Sequence, residues 1–243
     1  DASAQASALV SGPWRPGGRL FNFRVDLHGL DDHLGELLVL RLVDVSAYVA
    51  HTVAILDGVR GPDESWTMPL AIPFGHHNAE FYADHDGDRT YDPPPVDHAW
   101  RVHVHAEGAV GPDVPFDFPH DTLFSDIEAL PVAPLGAELR VDFTGFAPEV
   151  GRMLELRLIE TDTGRTSALY RLAAIPGDEF SIVVPGIVLD ATPYAIDFYV
   201  DVDGDGLYDA PPTDHAWRIA TEGTPTGLAP TFGHHLVFTD VGF

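Results

Sequence analysis

The chain has 243 residues, 45% of them hydrophobic and 10% aromatic, enough to bury one large β domain or two small ones and too apolar for a disordered polymer. Its formal charge of -25 comes from 38 acidic residues against 13 basic ones, all of them Arg, which excludes a nucleic-acid partner or an anionic membrane surface, since both need a basic face. With no Cys there is no disulfide, no thiolate metal site and no Cys nucleophile.

No run approaches the roughly 20 apolar residues of a membrane span, so membrane insertion is not expected. The chain opens with Asp-Ala-Ser instead of Met, which points to a processed, exported protein, secreted or held at the cell surface. Residues 1–19 read as an N-terminal extension. Within it, Ala4-Gln-Ala-Ser-Ala-Leu-Val10 is uncharged, free of Pro and about one strand long. Such a segment can add to a sheet edge of a neighbouring subunit, giving self-association, or fold back on its own first domain.

From residue 20 the apolar period is two. Phe21, Phe23, Val25 and Leu27 alternate with Asn22, Arg24, Asp26 and His28, and Leu38, Leu40 and Leu42 do the same, the pattern of half-buried strands. Next comes Phe81-Tyr-Ala-Asp-His-Asp-Gly-Asp-Arg-Thr-Tyr-Asp-Pro-Pro-Pro-Val-Asp-His-Ala-Trp-Arg101. It returns as Phe198-Tyr-Val-Asp-Val-Asp-Gly-Asp-Gly-Leu-Tyr-Asp-Ala-Pro-Pro-Thr-Asp-His-Ala-Trp-Arg218, with 15 of 21 positions identical at an offset of 117. Val25–Gly29 and Leu40–Val43 recur at 116, and Phe118–Ile127 at 114. The whole unit is therefore duplicated. The reading is repeat 1 over 20–127, a Pro-containing linker over 128–137 and repeat 2 over 138–243, where Leu139, Val141, Phe143 and then Leu154, Leu156, Leu158 again alternate. About seven strands per copy, punctuated by Gly and Pro with no sustained helical period, predict an all-β chain of two tandem immunoglobulin-like β-sandwiches.

The chemistry lies in the repeated motif. Asp201, Asp203, Asp205 and Asp209 occupy loop positions 1, 3, 5 and 9, with Gly206 at position 6 and the Leu207 carbonyl at 7. Carboxylates this dense repel one another unless a hard cation that takes six to eight oxygens neutralises them. The nine-residue stretch resembles the DxDxDG calcium loops of EF-hands, dockerins and thrombospondin type 3 repeats, and that resemblance implies bound Ca²⁺, one ion per copy. Position 12, a bidentate Glu in an EF-hand, is Pro212 here, which excludes a helix-loop-helix hand; Asp214 follows as the closing carboxylate. Repeat 1 supplies Asp84, Asp86, Asp88, Asp92 and Asp97, but places Arg89 where left-handed dihedrals favour Gly. The Tyr-Asp-x-Pro-Pro-x-Asp-His-Ala-Trp-Arg stretch is also similar to one in secreted bacterial tandem-repeat proteins of no assigned function.

Histidine is abundant, 13 in all. His103 and His105 stand two apart on a strand, on one face, the spacing of a transition-metal pair. His98 and His215 read as locally packed residues, Trp100 and Trp217 as core, and Trp14 and Trp66 as packing residues or sugar-stacking platforms. No nucleophile elbow, phosphate loop or His-Glu-x-x-His motif is present, so no enzyme is expected. The function read from this is an extracellular, calcium-binding structural, adhesive or self-assembling protein. The alternatives are a carbohydrate-binding module and a His-based transition-metal-binding protein.

Overall fold

The computed structural model describes residues 18–129 and 132–243, and it is nearly all β. In chain order the strands are β1 (Leu20–His28), β2 (Leu37–Asp44), β3 (Val49–Asp57), β4 (Glu64–Pro73), β5 (His76–Ala83), β6 (His98–His105), β7 (Asp113–Pro119), β8 (Ala133–Pro134), β9 (Ala137–Thr144), β10 (Leu154–Glu160), β11 (Thr166–Leu172), β12 (Phe180–Val188), β13 (Pro193–Val200), β14 (His215–Glu222) and β15 (Thr231–Gly233). The expected duplication is visible in the pairing. In repeat 1 a small sheet β4-β1-β7 faces β3-β2-β5-β6; in repeat 2 β12-β9-β15 faces β11-β10-β13-β14. The antiparallel pairs β1/β4, β2/β5 and β5/β6 give the immunoglobulin-type Greek key, but the last strand of each copy, β7 or β15, runs parallel to the first.

The alternating apolar positions do what their period demands. Phe23, Val25 and Leu27 of β1 meet Leu38, Leu40, Leu42, Phe81 and Trp100 in one core, while Val141, Phe143, Leu154, Leu156, Phe198 and Trp217 build the other. In each, an aromatic pair stacks identically: Phe81 on Trp100 at 5.1 Å and Phe198 on Trp217 at 5.5 Å.

The two sandwiches are not separate bodies on a spacer. Strand β11 pairs in parallel with β3, from Ala168↔Val53 to Leu172↔Asp57, so the two large sheets are one continuous sheet ordered β14-β13-β10-β11-β3-β2-β5-β6. Strand β8, within the segment read as linker, also pairs with β3, at Val49 and Ala50. Corresponding strands that pair in parallel are related by a half-turn about an axis along the strands. That operation exchanges the faces of the sheet, and the cores confirm it: Ala54, Leu56 and Leu169 point into the first core, Val53, Ile55, Ala168 and Tyr170 into the second. Strands β3 and β11 are thus covered on both faces, and their sequences show the cost of alternation lost, Val49-Ala-His-Thr-Val-Ala-Ile-Leu56 being an uncharged run buried throughout.

Polar groups buried at this seam are paired there, apart from the Thr166 hydroxyl. Arg165, fully buried, donates to Glu160 Oε1 at 2.5 Å and crosses the seam to the His51 carbonyl at 2.8 Å. Arg171 donates to Glu155 at 2.7 Å and reaches Glu64 of β4 at 3.3 Å, and the Tyr170 hydroxyl donates to Asp57 at 2.6 Å. His51 lies wholly inside, its Nε2 at 3.1 Å from His77 Nδ1. Burial, and then the proximity of His77 and Arg165, hold the His51 pKa well below the ordinary 6.5; burial lowers His77 as well.

Two measurements check the seam. Arg165→Met leaves Glu160 charged and buried without its guanidinium, and should cost about 3–5 kcal/mol in denaturant unfolding, most of which Glu160→Met in the same chain should restore; a loss under about 1 kcal/mol contradicts the clasp. For the histidines, a folded-state pKa below the unfolded one means that the unfolded chain binds more protons as pH falls below about 6.5, so stability is complete above that value and declines beneath it. The urea midpoint should fall between pH 7 and 5.5, and less steeply in His51→Leu; equal slopes in the two proteins would contradict the assignment.

Candidate metal centres

Strand direction decides where the acidic loops lie. Since β5 and β3 both run antiparallel to β2, β13 and β11 both run antiparallel to β10, and β3 is parallel to β11, the C-terminal ends of β5 and β13 point the same way. Both loops therefore leave the same end of the shared sheet. Each is a long hairpin connection closed by its last strand pair, Ala83↔His98 or Val200↔His215.

The two loops fold alike. Asp84 Oδ1 accepts from the Gly87 amide at 3.0 Å and Oδ2 from the Arg89 amide at 2.9 Å; Asp201 accepts from Gly204 at 2.7 Å and Gly206 at 2.9 Å. Asp88 accepts from the Thr90 amide and Asp205 from that of Leu207, while Asp86 and Asp203 accept from the amides of Asp88 and Asp205. Asp97 and Asp214, both fully buried, act as clasps. Asp97 takes the amides of His85 and Asp92 at 2.9 and 2.8 Å, and Asp214 those of Val202 and Asp209 at 2.9 and 2.8 Å, tying the start of each loop to its end. Asp92 and Asp209 thus enter this network through their backbones. Arg89 adopts the left-handed backbone after all, φ 67° beside 83° at Gly206. Its guanidinium is anchored by two hydrogen bonds, 3.0 and 2.9 Å, to Asp57 at the end of β3. Burial raises Asp57, but Arg89 and Tyr170 outweigh it and hold the carboxyl below its usual range. At Gly206 a side chain would meet Arg60, 3.1 Å from where a Cβ would stand.

Carboxylate oxygens of Asp84, Asp86 and Asp88 lie within 4.8 Å of one another. Asp84 is pushed up by burial and by its neighbours Asp97 and Asp86, Asp214 by burial and by Asp201 and Asp203. Backbone amides offset only part of that repulsion.

Histidines gather in groups that spacing alone does not reveal. His103 and His105 do share a face of β6, where His76 of β5 joins them: His76 Nδ1 is 3.2 Å from His103 Nε2, all three side chains are exposed, and Asn78 and Glu107 already bond His103 and His76. A second group lies under the first acidic loop. His33, in the short 3-10 turn Asp31–His33, brings a ring nitrogen within 4.8 Å of nitrogens from His98 and His120. Its counterpart in repeat 2 is Glu149 with His215 and His234. These sets come from three chain segments each, so only the recurrence of His98/His215 and His120/His234 in the two copies marked them. Of the tryptophans, Trp100, Trp217 and Trp66 are buried, which removes Trp66 as an exposed platform. Trp14 and the strand-like segment 4–10 lie outside the described residues.

No helix among the described residues is long and apolar enough to cross a membrane. No protein-family model matches this sequence, and no curated protein is similar to it. Among solved structures, the tip fimbrial protein Mfa3 from Porphyromonas gingivalis, with a C-terminal truncation, is 8% identical with a TM-score of 0.28 over 82% of this chain and 81% of its own. A DUF3823 family protein from Bacteroides uniformis is 9% identical with a TM-score of 0.21 over 84% of this chain and 99% of its own. Likenesses this distant carry no function from either protein to this chain.

Proposed function

We propose that this chain is an extracellular structural or adhesive protein whose two acidic loops each bind Ca²⁺ and brace one end of a double sandwich. The observation that carries the reading is the repetition of one loop geometry, with Asp84 and Asp201 gathering the loop backbone and Asp97 and Asp214 clasping its ends, while further carboxylates crowd the same turn. A site present in two like copies fits a scaffold better than a catalyst. Because both loops share one end of the sheet, calcium would neutralise a single acidic pole, and an end so neutralised is where contact between copies of a chain of charge -25 becomes least costly.

Calorimetric titration should find about two sites with affinities of roughly 10⁻⁴ to 10⁻³ M or tighter, the range of extracellular modules. Asp203→Ala should remove one and spare the other, and chelator should lower the melting temperature of the wild type. No uptake at millimolar calcium would overturn the proposal.

The pH dependence has a definite sign. A carboxyl with a raised folded-state pKa, as at Asp84 and Asp214, favours folding below its ordinary value near 3.8 and loses that contribution as pH rises through the folded value. In the calcium-free protein these groups therefore become a liability towards neutrality, which a bound cation would relieve. Calcium-induced stabilisation should grow from about pH 4 to pH 7; a stabilisation independent of pH would place calcium elsewhere.

A further inference from the structure

We infer that repeat 1 carries a transition-metal site of the Zn²⁺ class, formed by His33, His98 and His120, and that repeat 2 carries the same pocket closed by an internal cation. The site is separate from the acidic loops and from the exposed His76, His103 and His105.

The first support is distance. His33 Nε2 lies 3.2 Å from His120 Nε2, and one ring nitrogen from each of His33, His98 and His120 lies within 4.8 Å of the others. Zinc–nitrogen bonds of about 2.0–2.1 Å put two ligating nitrogens of a tetrahedron about 3.3 Å apart. The second is the set of groups behind the rings. His33, with no exposed surface, places Nδ1 at 2.7 Å from Glu36 Oε2, the carboxylate–histidine contact that orients an imidazole and makes it a stronger ligand. The other oxygen of Glu36 bonds His85 Nδ1 at 2.9 Å. His98 is held flat between the His85 ring at 4.6 Å and the Phe124 ring at 4.2 Å, and its Nδ1 is buried with no hydrogen-bond partner. An imidazole fixed in this way, beside two others, costs free energy with its nitrogen unused and gains it on ligating a metal. The exposed trio lacks this preparation: its side chains are solvated and partly bonded to Asn78 and Glu107.

The third support is the internal comparison. At the constant offset of 116, His33 corresponds to Glu149 and Glu36 to Arg152. In repeat 2 the Arg152 guanidinium donates to Glu149, and Glu149 Oε1 bonds both His215 Nδ1 at 2.7 Å and His234 Nε2 at 3.2 Å. Phe238 stacks on His215 at 4.3 Å as Phe124 does on His98. The pocket is conserved in shape between the copies, but in repeat 2 an arginine supplies the positive charge and each ring has a carboxylate partner. In repeat 1 three imidazoles face one another, a carboxylate stands behind, and a metal ion completes the set.

The test is a Zn²⁺ titration of the full chain at pH 7.5, with about 1 mM Ca²⁺ present throughout, and Co²⁺ as a spectroscopic probe of tetrahedral coordination. Expected are one tight Zn²⁺ and a tetrahedral cobalt spectrum, both retained in the His103→Ala, His105→Ala double variant. His120→Ala should weaken binding at least 100-fold, and Glu36→Gln, which removes only the supporting charge, about 10- to 100-fold. Circular dichroism confirms that each variant is folded; should His120→Ala not fold, Glu36→Gln decides alone. No tight uptake by the wild type, binding undiminished in a folded His120→Ala or in Glu36→Gln, or binding lost in the double variant would each overturn the assignment.

Discussion

Parallel pairing of β3 with β11 is the constraint on which the rest of the molecule depends. Each copy of the repeat, folded alone, would leave an apolar strand at the edge of its large sheet, and an open edge of that kind recruits another strand. Here the duplicated partner in the same chain fills it. Because equivalent strands meet side by side and run the same way, the two cores must lie on opposite faces, and the two central strands must be apolar on both. Of the polar groups that enter the seam, three are tied across it: Arg165 to the β3 backbone, Arg171 to Glu64, Tyr170 to Asp57. Such buried charges add little net stability, but removing one partner is expensive.

The same pairing arranges the chemistry. A half-turn along the strand direction reverses the faces and preserves the ends, which sets both acidic loops at one end of the sheet. It also couples the first loop to the seam. Asp57, the last residue of β3, is held by the Tyr170 hydroxyl from repeat 2 and in turn anchors Arg89 of the loop. Arg60, three residues past the seam's end at Asp57, lies against Gly206 of the second loop. The second loop therefore rests directly on the other copy and the first reaches it through Asp57, so cation binding at either would stiffen the junction as well as the hairpin. The histidine pocket sits directly beneath, since His98 and His215 follow the clasping Asp97 and Asp214 in sequence.

Much of this was legible in the residues. Alternation at 21–27, 38–42, 139–143 and 154–158 marked half-buried strands that form, and the repeat marked two sandwiches. The shared sheet was not legible from alternation, because pairing between strands more than a hundred residues apart leaves no periodic trace. Its signal was the loss of alternation in Val49–Leu56 and in Thr166–Tyr170, which reads as a strand covered on both faces. In the loops, the DxDxDG spacing located the carboxylates, but it could not show that Asp97 and Asp214 would be fully buried and tie the start of each loop to its end. Arg89 in a left-handed conformation was unexpected because the guanidinium anchor on Asp57 is a tertiary contact. His33, His98 and His120 are separated by 65 and 22 positions, and only the fold brings their rings together.

Native-state amide hydrogen exchange tests the central claim, a single body built on one continuous sheet, most directly. If β3 and β11 form the buried middle of that sheet, their amides at Val53–Leu56 and Ala168–Arg171 should be the slowest in the molecule and should exchange together, with the protection of global unfolding. Exchange of β3 and β11 amides at rates typical of edge strands, with the two copies opening at separate free energies, would show that the repeats are independent sandwiches and would contradict the account.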